Sequence, residues 1–256
     1  MDLKICILGS GSSGNCIYIS SGKTNILIDF GFSEKEIIKR LQKINVRLCD
    51  INAVLVTHEH HDHSSGLGKI TEKISGPICI NDLTYQSIKS RIEYENIKKI
   101  TNSDFFEIGD FLIKPFSVFH DASDPCGYSI YCNGRKIALA TDLGIVNNNV
   151  LQNMADSNII IIESNYDQKM LVNGNYPWHL KNRILSKDGH LSNNDAGKTL
   201  KRVMHPELKY IFLFHLSEEN NTPKAALDTV KSYIPINTKA QILCSSQNNV
   251  SDYFCL

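Results

Sequence analysis

Over its first sixty positions the chain sets short apolar runs between turn residues, as "KICIL", "GSGSSGN", "CIYIS", "SGK" and "NILIDF". Runs this short, punctuated by glycine, serine and asparagine, predict a meander of buried strands. In "SEKEIIKRLQKIN" the apolar positions change to helical spacing, and Ser33 followed by Glu36 is the capping-box pattern of a helix start. "INAVLVT" predicts a buried strand that runs straight into "HEHHDHSS". Beyond it the pattern predicts a helix from Ser64, a strand at "PICI", a helix over Asp82 to Ile92, and a strand-rich stretch from Asp104 to Thr141. Within that stretch Asn133 and Gly134 supply a tight hairpin turn. The final third alternates: strand "NIIIIES", helices from Trp178 and from Ser192, strand "YIFLFHLS", helix "TPKAALDTVKSYI" opened by Thr222 and Pro223, and strand "AQILC".

Each half thus places strands first and helices later, an order satisfied by two sheets packed face to face with helices outside. A chain of 256 residues supports one sizeable core, and with no repeat or linker in view a single α/β domain over residues 1–256 is expected. Lysine plus arginine number 27, as do aspartate plus glutamate, so no global field draws the protein to a membrane or a polyanion, and a nucleic-acid site would have to be a local patch. The eight cysteines form no CxxC pair and mostly lie in apolar runs, as buried thiols of a reducing cytoplasm do; a redox or zinc element at Cys126 and Cys132 is the alternative. The N-terminus lacks the apolar length of a secretory signal and no stretch approaches a membrane span, so a soluble cytoplasmic protein with no membrane contact is expected.

The chemistry concentrates in "THEHHDHSSG" at Thr57 to Gly66. Imidazole and carboxylate suit zinc, iron or manganese, and a carboxylate can bridge two ions. His58 and His60 can face one side of a tight loop while Asp62 and His63 turn to the other. His120, Asp142 and His215 each end an apolar strand, in "KPFSVFH", "KIALATD" and "YIFLFHLS". A lone histidine in such a strand is usually a hydrogen-bonded core residue. Together with the cluster these residues form a seven-ligand set for two metals.

The order THxHxDH, then histidine, aspartate and histidine, resembles the metallo-β-lactamase fold superfamily across essentially the whole chain. The resemblance implies an αββα sandwich of two mixed β-sheets with helices on the outer faces. It also implies two divalent metal ions (Mn2+, Zn2+ or Fe2+). His58, His60 and His120 would hold one, Asp62, His63 and His215 the other, with Asp142 between them and His61 outside the set. "LGSGSSGN", "ESNYD", "YPWHLKNRI" and "GHLSNNDA" are similar to segments of the YycJ/WalJ group, regarded as exonucleases acting 5′ to 3′ on DNA. "GHLSNNDA" also resembles the His-Ser/Thr motif of tRNA 3′-processing nucleases, which makes His190 a proton donor or transition-state stabiliser beside Asp62 in the catalytic set.

Departures from other members narrow the activity. Asp142 stands where common β-lactamases carry cysteine, and His60 where flavodiiron proteins carry glutamate. The 72 residues between Asp142 and His215 are too few for the inserted domain of larger RNA-processing members, and no long glycine-proline-rich arm for tRNA is evident. From Lys181 to Lys209 seven basic residues face three acids, which suggests a phosphate rim around His190 or simply the solvated sides of two helices. The expected substrate contacts are Ser12 and Asn15 of the glycine-rich loop, Arg183, and Ser192 at the start of a helix. The chain therefore reads as a metal-dependent phosphodiesterase on DNA ends, working through a water activated between two metals. RNA is the nearest alternative substrate. A thioester or lactone hydrolase of the glyoxalase II type would use the same ligands. A metal-binding module without catalysis is disfavoured by the intact ligand set. Oligomeric state is not encoded in these patterns.

Overall fold

The computed structural model describes residues 3–70 and 74–256. Two seven-stranded sheets form its centre. The first is built from β1 (Lys4–Gly9), β2 (Cys16–Ser20), β3 (Asn25–Ile28), β4 (Ala53–Leu55), β5 (Ile78–Asn81) and β6 (Ile97–Ile100). The second takes β7 (Phe106–Ile108), β8 (Phe111–Ser117), β9 (Cys126–Cys132), β10 (Arg135–Ala140), β11 (Ile159–Glu163), β12 (Tyr210–Phe214) and β13 (Gln241–Cys244). The final strand, β14 (Phe254–Cys255), returns to the first sheet beside β1. Helices α1 (Glu34–Lys43), α2 (His61–Ser64) and α3 (Asp82–Ile88) belong to the first half, and α4 (Asn148–Met154), α5 (Gln168–Asn173), α6 (Trp178–Leu185), α7 (Asn193–Val203) and α8 (Pro223–Tyr233) to the second.

Both sheets are mixed, each with an antiparallel meander on one side and parallel strands on the other: β1, β2 and β3 pair antiparallel and β3 to β6 parallel, while β7 to β10 pair antiparallel and β10 to β13 parallel. Strands covered on both faces are apolar throughout. In β11, Ile159 and Ile161 face the other sheet, whereas Ile160 and Ile162 face α4, α7 and α8. On the first sheet Ile5 and Ile7 point inward, and Cys6 and Leu8 pack outward toward α1. These three apolar layers give the αββα arrangement expected from the order of elements. Among the described residues no helix is long and apolar enough to cross a membrane.

Local signals place the element ends. Ser33 accepts the Glu36 amide as the α1 cap, while the Glu36 carboxylate turns to Arg40 Nε at 2.8 Å rather than back to the cap. Thr222 caps α8 ahead of Pro223, and Asn133 and Gly134 take φ 51° and 72° in the β9–β10 hairpin, the left-handed pair that a tight turn requires. Two expectations are corrected. The helix after the histidine cluster starts at His61 and ends at Ser64, followed by a 3₁₀ turn at Leu67–Lys69; residues 71–73 lie outside the described residues. The helix from Asp82 stops at Ile88 and tightens into a 3₁₀ turn over Lys89–Arg91. Cys126 and Cys132 stand six positions apart on β9, ~20 Å along a strand, and both are free, so they form no shared redox or zinc element.

The sheets are tied beneath the histidine loop by Tyr128, a fully buried β9 residue whose hydroxyl donates to the Val56 carbonyl at 2.6 Å, just beyond β4. Replacing it as Tyr128→Phe leaves that carbonyl only the long 3.8 Å contact from Cys126 Sγ and should destabilise the protein by about 1–3 kcal/mol in denaturant unfolding, with little change in metal content.

Candidate metal centre

The chain delivers its ligands from one edge of both sheets. Asp29 follows β3, His58 lies shortly after β4, His120 after β8, Asp142 after β10, Glu163 ends β11, and His215 follows β12. β3 and β4 are parallel, and β8, β10, β11 and β12 share one direction, so these are all carboxyl ends, where open α/β sheets place their sites. Asp29, Asp142 and His215 adopt left-handed backbone, with φ of 59°, 51° and 54°. That conformation turns the chain sharply at the strand end, and aspartate and histidine are among the residues that tolerate it.

The seven expected ligands converge. His58, His60 and His120 form one donor group, with His60 Nδ1 3.2 Å from His120 Nε2. Asp62, His63 and His215 form another, with Asp62 Oδ2 3.1 Å from His215 Nε2 and 3.4 Å from His63 Nε2. Asp142 reaches toward both: Oδ2 is 3.1 Å from His63 Nε2 and Oδ1 is 3.8 Å from His120 Nε2. His61, in contrast, is exposed.

Hydrogen bonds behind the ligands fix which nitrogen faces inward. Asp29 Oδ2 takes His63 Nδ1 at 2.7 Å, and both Asp29 oxygens accept the Thr57 hydroxyl, at 3.0 and 2.9 Å. With its proton committed to Asp29, that hydroxyl accepts from His58 Nδ1 at 3.0 Å. His120 Nδ1 donates to the Gly189 carbonyl at 3.0 Å. His58 Nε2 is left buried with no hydrogen-bond partner, a bare lone pair among other donors. An orphaned imidazole nitrogen inside a set of imidazoles and carboxylates fits a divalent transition metal, and the second layer of carboxylate and carbonyl acceptors is the support such ligands need.

Electrostatics agree with that fit. Burial would lower His63 and His215, yet nearby carboxylates, Asp142 first, hold His63 well above its ordinary range and His215 up to about 10. Burial opposes ionisation of Asp142 and Asp62, but His215 and His63 for Asp142, and His63 and His215 for Asp62, hold both far below the usual carboxylate range. His58 is driven well down by burial and by His63, consistent with a neutral ligand. Without metal the centre keeps protons where a cation would sit, and metal binding would release them.

His190, half-buried, stands over this edge with Nδ1 2.8 Å from Glu163 Oε1, its ring stacked on His215 at 5.3 Å between centroids. Glu163 is fully buried: Oε1 also meets His215 Nδ1 at 3.1 Å, and Oε2 accepts the Leu143 and Leu191 amides at 3.0 and 2.9 Å. Arg183, exposed on α6, donates Nε to Asp121 Oδ2 at 2.5 Å, and Asp121 Oδ1 lies 3.4 Å from His120 Nε2. Neither Asp29, Glu163 nor Asp121 was singled out as a site residue by sequence; a strand-ending acid in "NILIDF" or "NIIIIES" was the available signal.

Several expected substrate contacts are corrected. Asn15 is fully buried; its side-chain amide donates to Gly11 O at 3.1 Å and Asp62 Oδ2 at 3.2 Å and lies 3.0 Å from His63 Nε2, so it packs against the ligands rather than facing substrate. The glycine-rich loop is not an open cradle of amides: those of Ser10, Gly11, Ser13, Gly14 and Asn15 are bonded to Ser246 O, Asn15 Oδ1, Gln247 Oε1, Gly11 O and Asp62 O. Ser12 remains exposed at its tip. Ser192 is buried, its hydroxyl accepting the Asp195 amide and donating to the Asp195 carboxylate; with that acid in the first turn and the Asn193 amide on Tyr166 O, the start of α7 is no phosphate site. Lys181 is buried too, Nζ donating to Val172 O and Gly174 O, and leaves the basic rim.

The loop holding Asp62 also depends on Gly31, where a Cβ would fall 1.7 Å from the Asp62 carbonyl oxygen. A family model described as a β-lactamase superfamily domain matches residues 24–215. The chain belongs to the metallo-β-lactamase superfamily. Exodeoxyribonuclease YycJ of Bacillus anthracis is 35% identical over 237 residues, covering 91% of this chain and 90% of that protein. Exodeoxyribonuclease WalJ of Streptococcus pneumoniae serotype 2 is 37% identical over 229 residues, covering 87% and 85%. Among solved structures, the metallo-β-lactamase fold protein YhfI of Bacillus subtilis superposes with a TM-score of 0.77 at 16% identity, covering 98% of this chain and 99% of that one, a likeness of fold. Like the exodeoxyribonucleases it matches along most of its length, the protein is a hydrolase.

Asp29→Asn would withdraw the charge that orients His63 while leaving ligand atoms in place. Metal titration should show affinity reduced about 10–100-fold with the fold retained; unchanged affinity would mean that Asp29 is structural only.

Proposed function

We propose that this superfamily member is a two-metal exodeoxyribonuclease that degrades DNA from 5′ ends. The observation that carries the reading is the His190–Glu163 pair over the metal-ligand edge, with Arg183 at its rim. The relatives named exodeoxyribonucleases support the substrate and reaction. His58, His60 and His120 would hold one ion and Asp62, His63 and His215 the other, with Asp142 reaching both. Bound there, divalent ions of manganese, zinc or iron would supply an activated water at neutral pH and neutralise phosphate charge.

The chain's own residues supply the remainder. Glu163 accepts from His190 Nδ1 and thereby points Nε2 at substrate; the doubly protonated ring gives its Nε2 proton to the departing oxygen and is left neutral, with Nδ1–H still on Glu163. An alkoxide leaving group needs that proton far more than a thiolate does, which favours a phosphodiester over a thioester. Asp121 engages Arg183 through Nε, leaving the terminal nitrogens of the guanidinium fork for a phosphate oxygen. Arg202 borders a recess of about 300 Å3 with Gly144 and Leu191, next to His190, and extends the cationic rim, whereas Lys198 in the same recess is paired with Asp195 at 2.8 Å. Ser12, exposed with Ser13 at the tip of the glycine-rich loop, is the loop residue we assign to touch substrate.

Duplex DNA labelled separately at its 5′ and 3′ ends, digested with added manganese, should lose label stepwise from the 5′ end. His58→Ala and Asp62→Ala should abolish the reaction. His190→Ala should lower kcat ~10²–10⁴-fold with metal content unchanged. Loss from the 3′ end would overturn the polarity, and turnover of a thioester or lactone without cleavage of DNA or RNA would overturn the substrate.

A further inference from the structure

Helix α6 carries an aromatic side chain that the metal centre does not use. Trp178, at its first position, is 63% exposed although tryptophan is highly buried on average. One face of the ring is covered from within: Lys181 Nζ sits over it, 5.0 Å from the ring centroid, fixed by two carbonyls, Val172 O and Gly174 O, both at 2.8 Å, which leaves the opposite face for a partner. Leu185, two turns along, is 40% exposed on the same side. Five residues after Trp178, or ~7.5 Å along the helix axis, Arg183 reaches Asp121 at the mouth of the ligand cluster. The helix, "WHLKNRIL", contains no acid. An exposed indole and a guanidinium on one acid-free helix, the latter at the reaction edge, match a strand that alternates flat apolar rings with phosphates.

We infer that Trp178 is a stacking platform for a nucleobase of the substrate strand, close to the nucleotide whose phosphate meets Arg183. The inference rests on the nuclease reading. It makes α6 a ruler with two marks, a ring for a base and a cation for the backbone, and it accounts for "YPWHLKNRI", a segment the metal chemistry leaves unexplained. Stacking is indifferent to base identity because every base offers a π-face, so the platform would hold a strand end without reading its sequence.

Trp178 is the only tryptophan of the chain, so intrinsic fluorescence reads the platform directly. The zinc-loaded His190→Ala protein, slow in cleavage, would be titrated with a short single-stranded oligodeoxythymidine and with a counterpart whose residues are abasic, binding of each being followed in parallel by anisotropy of an end label. The base-bearing strand should quench tryptophan emission at the concentrations where anisotropy saturates. The abasic strand should bind ~10-fold more weakly and leave emission unchanged. In wild type, Trp178→Ala should raise KM for DNA ends ~10-fold with a much smaller change in kcat, and Trp178→Phe should restore most of the loss. Strand binding with unaltered emission would overturn the platform and leave the nuclease reading standing. Binding by neither strand would defeat both. Emission that shifts with protein concentration alone would assign the ring to a second copy of the chain instead.

Discussion

Asp29 carries a carboxylate withdrawn from water, and such a group survives only if donors surround it. The donors it recruits are the Thr57 amide and hydroxyl and His63 Nδ1. Their commitment decides the chemistry of the centre. His63 must present Nε2 inward, and Thr57, its proton given to Asp29, must accept from His58, which turns that Nε2 inward too. One buried acid thus fixes the tautomer of two ligands on different turns of the loop. The second sheet repeats the device: Glu163 orients His190 and His215 and takes the Leu143 and Leu191 amides, locking the loops after β10 and before α7 to the same carboxylate.

These anchors work because the strands beneath them do not move. Asp29, Asp142 and His215 hold left-handed backbone, a conformation costing roughly 1–3 kcal/mol each when a side chain is present and kept only where the surroundings over-determine it. The over-determination comes from the core between the sheets, where Ile28, Leu139 and Phe214, close to those three residues, are buried within one apolar cluster. Tyr128 crosses from the second sheet to the Val56 carbonyl, so the strand that launches His58 is bonded to both sheets. The core therefore sets the ligand geometry, and disturbance of packing at the carboxyl edge would reach the metal before it reached global stability.

Much of this was legible locally. The ligand run "HEHHDH" is dense enough to stand out, and His120, Asp142 and His215 share its context of apolar strand followed by a polar residue. Caps at Ser33 and Thr222 and the Asn133–Gly134 hairpin were readable because their partners lie within a few positions. What escaped has distant partners. Asn15 looks like loop asparagine until its contacts with Asp62 and His63, 47 and 48 positions away, are seen. Gln247 saturates the glycine-rich loop from 234 positions away. β14 pairs with β1 across the length of the chain, and β6, "IKKI", hides its strand character behind the lysines of an edge position. Asp29 and Glu163 escaped for the same reason, since an acid after an apolar run reveals its role only when the histidine it holds is in place.

On the proposed nuclease reading, a chain with balanced charge faces a difficulty in meeting its polyanion, because nothing at long range would steer the substrate in. Locally the difficulty is sharper. Asp62, Asp142, Glu163 and Asp121 crowd one edge, and in the absence of metal they oppose phosphate except where histidine protons and Arg183 offset them. A divalent ion bound among them would reverse that balance, being the largest local charge in any site it occupies. Asp121 then gains a meaning beyond its ion pair: it keeps Arg183 beside the cluster, so that guanidinium would add to the metal's field instead of swinging into solvent. On the proposed reading substrate affinity would be conditional on metal loading, and the neutrality of the sequence would conceal a site whose sign is set by the ions bound there.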